Sequence, residues 1–201
     1  MNKAASQKQR YNHLYKVITS QRFLKKEGLG NEVPFFIYPF PPDTAVEMER
    51  TVKSLASRLE NDDSIGVLNI NLYDLSIDLL RKRGVWEQLL TSEQRLGKDQ
   101  FLELLQGPLD PEKHLIPEIA RRMADKKHDV IFITGVGEVF PVIRSHTVLN
   151  NLQSAATEAP TVMFFPGEYS HSNHSGANLN LFGRLPNDKY YRAFNLAHFQ
   201  I

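Results

Sequence analysis

The residues best spaced for chemistry surround Gly135 and Gly137, which follow the apolar run Val130–Ile133. A glycine-containing turn between a strand and a helix can direct backbone N–H groups toward an anion. This turn lacks the third glycine of the dinucleotide-binding pattern, and Glu138 places a negative charge beside it. Two interpretations therefore stay open: a tight turn with no ligand, or one wall of a ligand site.

Further polar side chains lie downstream of this turn. In open α/β sheets, ligands bind in the crevice at the carboxyl ends of the strands, where such side chains would converge. The alternative is that these polar groups only satisfy neighbouring loop carbonyls. The candidate ligand-binding residues are Gly135, Gly137, Glu138, Arg144, Asn150 and Glu168.

A metal site and a catalytic nucleophile receive little support from the sequence. Glu168, His171 and His174 contain an H-x-x-H spacing that zinc tolerates, but no predicted helix orients the histidines. The absence of cysteine excludes thiol catalysis and zinc–thiolate sites. No G-x-S-x-G elbow presents a serine. We therefore expect no metal, no cofactor and no enzymatic activity.

Apolar strands alternate with amphipathic helices along the chain. Strand, helix and strand around residues 130–165 form a βαβ unit, which predicts a parallel sheet flanked by helices. Pro141 suits the first turn of that helix, and the polar segment Ser170–Asn180 is typical of a mobile loop. The predicted strands are Val33–Phe40, Val67–Tyr73 near the sheet edge, Val130–Ile133, Thr161–Phe165, a short segment Leu181–Leu185, and one within Tyr190–Ile201.

The expected fold is therefore an α/β fold with a mainly parallel sheet of about five strands. Its topology is P-loop-NTPase-like or Rossmann-like, with Val130–Ile133 and Thr161–Phe165 adjacent or nearly so at the centre. The turn Tyr38–Thr44 holds three prolines and no glycine or lysine. It cannot form a Walker A loop, which needs backbone donors and a lysine to hold phosphates. Nucleotide hydrolysis is therefore not expected.

Residues 74–127 make a connection several times longer than the dozen or so residues that a crossover requires. Its pattern predicts helices over Asp74–Leu90, Lys98–Leu105 and Glu112–Lys127, so we interpret it as a helical insertion in a single domain of residues 1–201. Its large apolar side chains either build a local core or form a groove for a partner. The candidate partner-binding residues are Trp86, Leu90, Phe101 and Leu105.

Charge and hydropathy narrow the class of partner. The formal net charge is +1, too small for a strong field toward nucleic acid or membrane. No apolar run approaches the roughly 20 residues that span a bilayer, so a soluble, cytoplasmic protein is expected. The first helix, predicted over Tyr11–Leu24, ends in a basic cluster. Its cations Lys16, Arg22, Lys25 and Lys26 either complement the helix dipole or contact DNA weakly.

Several long motifs together resemble one family. They are GLGNEVPFFIYPFPP, INLYDL, LLQGPLDPEKHLIPEIA, FITGVGEVFPVIRSHTVLNNLQ, PTVMFFPGEY and LFGRLPNDKYYRAFN. From about Tyr11 to Phe199 the chain resembles the BrxB family, which is encoded in BREX phage-defence operons. The resemblance implies work alongside other BREX proteins, with the alkaline-phosphatase-like PglZ as the first candidate partner. It supplies no catalytic residues.

Three functions follow from these observations. The first is a non-enzymatic assembly or adaptor subunit of a BREX complex, which the missing P-loop, the nearly neutral charge and the helical insertion favour. The second is a nucleotide-sensing or catalytic protein that uses the crevice at the strand ends. The third is a DNA-binding subunit led by the basic first helix.

Overall fold

The computed structural model describes residues 3–27, 34–152, 158–172, 176–187 and 193–200. Strands and helices alternate through most of this part of the chain. The strands are β1 Phe35–Phe40, β2 Val67–Asn71, β3 Val130–Thr134, β4 Thr161–Ser172, β5 Gly176–Leu181, β6 Leu185–Asn187 and β7 Phe194–Asn195. The α-helices are α1 Lys3–Thr19, α2 Gln21–Leu24, α3 Ala45–Asp62, α4 Leu72–Lys82, α5 Trp86–Glu93, α6 Lys98–Gln106, α7 Ile116–Asp125 and α8 Ser145–Leu152.

Five strands form a parallel sheet in the order β2-β3-β4-β1-β7. Strands β3 and β4 are neighbours, with Phe132 opposite Val162, so the predicted central parallel pair is confirmed. Strand β2 lies at the edge, as its partly alternating sequence predicted. The mainly parallel α/β fold expected from the sequence is therefore confirmed.

Both faces of the sheet are covered by helices, which explains the nearly continuous apolar strands. Along β1, Phe36 and Tyr38 face the layer of α1 and α3, whereas Phe35 and Ile37 face the layer of α4, α7 and α8. The side chains alternate because successive residues of a strand point to opposite faces. Helix α3 contributes one apolar stripe to the same core cluster as Phe36 and Tyr38, through Met48, Val52, Leu55 and Leu59.

The segment Ser170–Asn180, predicted as a mobile loop, is instead an antiparallel extension of the sheet at residues 170–172 and 176–180, whereas residues 173–175 lie outside the described part of the chain. Strand β4 continues past Phe165 to Ser172 and pairs with β5, so that Tyr169 lies opposite Leu179. Phe182 to Arg184 form a turn between β5 and β6, which replaces the predicted extended segment Leu181–Leu185. The loop prediction failed because Ser and Asn disfavour strands on their own, whereas pairing with a neighbouring strand outweighs that preference.

Three predicted boundaries were also wrong. Pro141 does not begin a helix, because α8 starts at Ser145 after a turn. The first helix breaks at Ser20, whose hydroxyl accepts a hydrogen bond from Phe23 N and caps α2. The strand predicted over Val67–Tyr73 ends at Asn71, because Asn71 caps α4, which begins at Leu72. The strand predicted within Tyr190–Ile201 is confirmed as β7, and a 3-10 turn follows because Asn195 Oδ1 accepts from Ala197 N.

Between β2 and β3 the chain forms four α-helices and one π-helical turn, rather than three helices. Gly84 has φ of +70°, a left-handed conformation that separates α4 from α5. The π-helical turn Pro111–Leu115 leads into α7. Helices α7 and α4 are tied by Glu118, which pairs with Arg121, Arg122 and Lys82. That residues 1–201 make one domain with an insertion stays a prediction.

Candidate functional site

A cavity of about 250 Å³ lies at the carboxyl ends of the parallel strands. We call it the strand-end cavity. It is bounded by the ends of β1, β2, β3 and β4, by the first turns of α3 and by the turn between β5 and β6. Three aromatic rings, those of Phe40, Phe164 and Phe182, contribute to its wall. Its position is the one in which open α/β sheets hold their ligands.

Glycine is required at position 135 of this cavity. Gly135 has φ of +73°, and a β-carbon there would lie 3.0 Å from Asn71 Cγ and 3.1 Å from Leu72 N. Asn71 cannot retreat without cost, because its Oδ1 caps α4 by accepting from Tyr73 N at 2.8 Å. The turn after β3 and the start of α4 are therefore packed directly against each other.

The turn after β1 is built without phosphate-binding features. Pro42 begins a short 3-10 turn, and Thr44 Oγ1 donates to the carbonyl of Pro41 at 2.7 Å before α3 starts. Pro42 and Ala45 then line the strand-end cavity. Prolines have no N–H to donate, so the place of a phosphate-binding loop is occupied by apolar groups.

The charges in the cavity wall are acidic. Burial raises the pKa of the Glu138 carboxyl above its ordinary value, and the negative charges of Glu49 and Asp74 raise it further. Glu49 is paired with Lys53 at 2.6 Å. An added anion would meet carboxylates here rather than free cations, so this wall disfavours phosphate.

A second, mainly apolar cavity of about 300 Å³ lies among α4, α5, α6 and the loop after β3. We call it the helix groove. All four candidate partner-binding residues, Trp86, Leu90, Phe101 and Leu105, line it. Their role in binding stays a prediction, but the structure does bring them together.

The groove combines a buried floor with exposed apolar walls. Leu89 and Leu109 are buried within the main core. Leu90 is 41% exposed and Tyr73 is 45% exposed, whereas Trp86 is half-buried. The two interpretations of these apolar side chains thus apply to different members of the set: Leu89 and Leu109 form core, and Leu90 and Tyr73 present apolar surface to solvent.

The two cavities are neighbours on one surface. Glu138 lines both of them. Phe140 of the groove and Phe182 of the strand-end cavity meet edge to face, with ring centroids 6.4 Å apart. Phe182 is itself 37% exposed. An apolar surface therefore continues from the groove to the mouth of the strand-end cavity.

The candidate ligand-binding residues divide into two groups. Gly135, Gly137 and Glu138 line the strand-end cavity. The other three candidates are not among its lining residues: Arg144 precedes α8, Asn150 is exposed on α8, and Glu168 accepts a hydrogen bond from Asn180 across the β4–β5 pair at 3.4 Å.

No metal site is found among the described residues, where no three His, Asp or Glu side chains come together as ligands. The side chain of His171 and the whole of His174 lie outside the described residues. A proposal that joins these histidines to Glu168 therefore has no geometry to support it.

Several residues at these cavities were not identified from the sequence. Asn71 ends β2 and caps α4, and asparagine is a favoured capping residue, but the strand predicted as far as Tyr73 concealed that role. Tyr73, Phe140 and Phe182 gave no such signal, because each is a single aromatic residue in a different element. Only the fold places Phe140 beside Phe182.

Among the described residues, none of the helices has both the length and the apolar composition needed to cross a membrane. A search of solved structures finds no significant match to the chain. The sequence comparisons are more informative. The family model described as BREX protein BrxB matches residues 68–196.

Two curated relatives extend the similarity over most of the chain. A BREX protein BrxB from Bacillus cereus (strain H3081.97) is 36% identical over 94% of this chain and 96% of its own length. A BREX protein BrxB from Escherichia coli O9:H4 (strain HS) is 33% identical over 89% of this chain and 86% of its own length. Identity at this level and coverage places the chain in the BrxB family of BREX proteins.

Proposed function

We propose that this chain is a non-enzymatic assembly or adaptor subunit of a BREX phage-defence complex. It binds another BREX protein directly, and PglZ is the first candidate partner. Family membership supports the role in BREX. The observation that carries the adaptor function is the helix groove, in which apolar side chains from three helices surround a cavity beside solvent.

The groove has the composition of a protein-binding surface. Interface cores are enriched in aromatic and large apolar residues, and a few of these supply most of the binding free energy. Trp86 and Phe101 are partly buried against the core, so they are held in place before a partner arrives. Leu90 is exposed and touches the same cavity. A rigid base with an exposed apolar rim favours docking, because little conformational freedom is lost on binding.

Co-expression of all operon products, with an affinity tag on this chain, tests the proposal. We expect PglZ or another BREX protein to co-purify with the wild type. Leu90→Asp should weaken the complex by at least about tenfold, since loss of an interface hot spot costs about 2 kcal/mol or more. Leu96→Asp is the matched control, because Leu96 is similarly exposed, at 37%, but does not line the groove.

The measurements distinguish a loss of binding at the groove from a loss of the fold. Both variants should keep the circular dichroism spectrum and unfolding midpoint of the wild type, because both positions are on the surface. Complex formation that is equal for Leu90→Asp and the wild type would place the interface elsewhere. Failure of every BREX protein to co-purify with the wild type would overturn the adaptor function itself.

A ligand-binding role for the strand-end cavity is the second candidate function. It is favoured by one observation, the cavity of about 250 Å³ at the crevice of the sheet. Its acidic and aromatic wall argues against a nucleotide and leaves small neutral or cationic molecules as the class to screen. Thermal-shift measurements on the wild type and on Phe164→Ala would test this role without reference to partner proteins.

Direct DNA binding receives less support. Arg22 Nη1 donates to the carbonyl of Gln200 at 3.0 Å, and Lys26 Nζ donates to the carbonyl of Glu158 at 2.9 Å. These two cations of the basic cluster already hold main-chain groups. We therefore propose that any contact with nucleic acid is weak and salt-sensitive.

A further inference from the structure

The charges that border the helix groove have one sign. Glu93 on α5 and Glu138 on the loop after β3 are the charged groups among the described residues that line it, and no Lys or Arg joins them. Asp74 lies close enough to Glu138 to raise its pKa. One cation outside the lining contacts a lining residue: the guanidinium of Arg81 lies 5.3 Å from the centre of the Trp86 ring.

The walls of the groove determine the form of the occupant. They come from α4, α5, α6 and the loop after β3, and no strand of the described sheet contributes a residue to them. A peptide that binds as an added β-strand gains affinity by pairing with a free strand edge, which this surface does not present. A helix instead inserts one apolar face between other helices, and this groove offers side chains to such a face.

We propose that the helix groove binds an amphipathic, basic helix of a partner protein. Its apolar face packs on Trp86, Leu90 and Phe101, and lysine or arginine beside that face pairs with Glu93 and Glu138. This inference deepens the adaptor function by naming the chemistry of the bound segment. It commits to a partner protein rather than to a two-fold dimer through the groove, because such a dimer would place two acidic grooves against each other.

The edge-to-face contact of Phe140 and Phe182 extends the same surface beyond the groove. Val46, 63% exposed, lies one turn before Glu49 on α3, and Glu49 borders the strand-end cavity. In the described lining of the strand-end cavity, the charged residues are Glu49 and Glu138, which are both acidic. A basic helix longer than the groove therefore continues over apolar groups and Glu138, whereas Glu49 is already paired with Lys53.

Fluorescence anisotropy with designed peptides tests the proposal on the full chain. The probe is a fluorescein-labelled helix of leucine and lysine with its leucines on one face. The second peptide replaces every lysine with glutamate, and the third keeps the Leu–Lys composition but scrambles the order. We expect the Leu–Lys helix to bind at least about tenfold more tightly than either of the others, because like charges across the contact are destabilising.

Variants then assign binding to the groove. Leu90→Asp should weaken the Leu–Lys peptide by about tenfold or more, whereas Leu96→Asp should not. The double variant Glu93→Lys with Glu138→Lys should weaken it about threefold to tenfold and strengthen the Leu–Glu peptide. The control Glu103→Lys with Glu112→Lys makes the same change of net charge at exposed positions outside the groove and should alter neither peptide strongly.

Three results would overturn the inference: equal or tighter binding of the Leu–Glu peptide, equal binding of the scrambled peptide, or no effect of Leu90→Asp on the Leu–Lys peptide. Failure of the adaptor function is distinguishable, because it is read from co-purification of BREX proteins. If the complex is lost in Leu90→Asp but strengthened by Glu93→Lys with Glu138→Lys, the groove is the interface and the bound segment is not a basic helix.

Discussion

The side chain of Asn71 fills the space in which a β-carbon of residue 135 would have to lie. Gly135 turns the chain at the end of β3 with φ of +73°, and Asn71 Oδ1 caps α4 from the end of the neighbouring strand β2. The two residues are 64 positions apart by their numbers, and they are brought together because β2 and β3 are parallel and in register. This contact forms one wall of the strand-end cavity.

Gly135→Ala should therefore destabilise the protein by about 2 to 4 kcal/mol. The left-handed backbone costs an alanine about 1 kcal/mol or more, and displacing Asn71 removes a helix cap of about 1 kcal/mol. Gly84→Ala is the control, since Gly84 has φ of +70° but open space around it. It should cost only the backbone contribution. Urea unfolding of both variants measures the difference, and equal losses would contradict a steric role for Asn71.

Glu118→Gln should lower stability at neutral pH by about 1 to 2 kcal/mol. Hydrogen bonds from Arg121, then from Lys82 and Arg122, hold the pKa of Glu118 at about 2, against an ordinary value of 4.5. A lowered pKa in the folded state means that the stabilisation is complete above about pH 5 and is lost as the pH falls through about 2.

Chemical unfolding of wild type and Glu118→Gln from pH 7 to pH 2 checks this sign. The two stabilities should converge as the pH falls. Glu112→Gln supplies the control, because Glu112 is exposed and carries no ion pair among those described. If the difference in unfolding free energy between wild type and Glu118→Gln widens on acidification, the network around α7 and α4 does not act through the Glu118 charge.

Purified protein should neither bind ATP at micromolar concentrations nor hydrolyse it. Pro41 and Pro42 occupy the turn where a phosphate loop would donate N–H groups, and Glu138 lies on the facing wall. Isothermal titration calorimetry with ATP and magnesium measures affinity, and release of inorganic phosphate measures turnover. Micromolar affinity would show that a phosphate site exists apart from the strand-end cavity.

The sequence by itself determined the layering of the fold. The four residues from Val130 to Ile133 are all apolar and all buried, as expected of a strand that is covered on both faces. The helix between β3 and β4 lets these two strands run parallel. The glycines at 135 and 137 marked the turn at the strand ends. The prolines at 41 and 42 excluded a phosphate loop before any geometry was known.

The sequence predicted the structure of the helical insertion only in part. Its length and its Leu-rich pattern predicted helices, and Trp86, Leu90, Phe101 and Leu105 were chosen for their size. Periodicity says that a helix has an apolar side, but it does not say whether a second element covers that side. Leu89 and Leu90 are adjacent in sequence, yet one is buried and the other is 41% exposed.

Tertiary structure alone decided the hairpin and the joined surface. The residues 176–181 combine glycine, alanine and asparagine with Leu179 and Leu181, and they form a strand because β4 offers its edge to them. Phe140 and Phe182 meet because the turn between β5 and β6 lies beside the residues that follow β3. Such contacts join residues far apart in the chain. They depend on how whole elements pack, and local propensity carries no information about that packing.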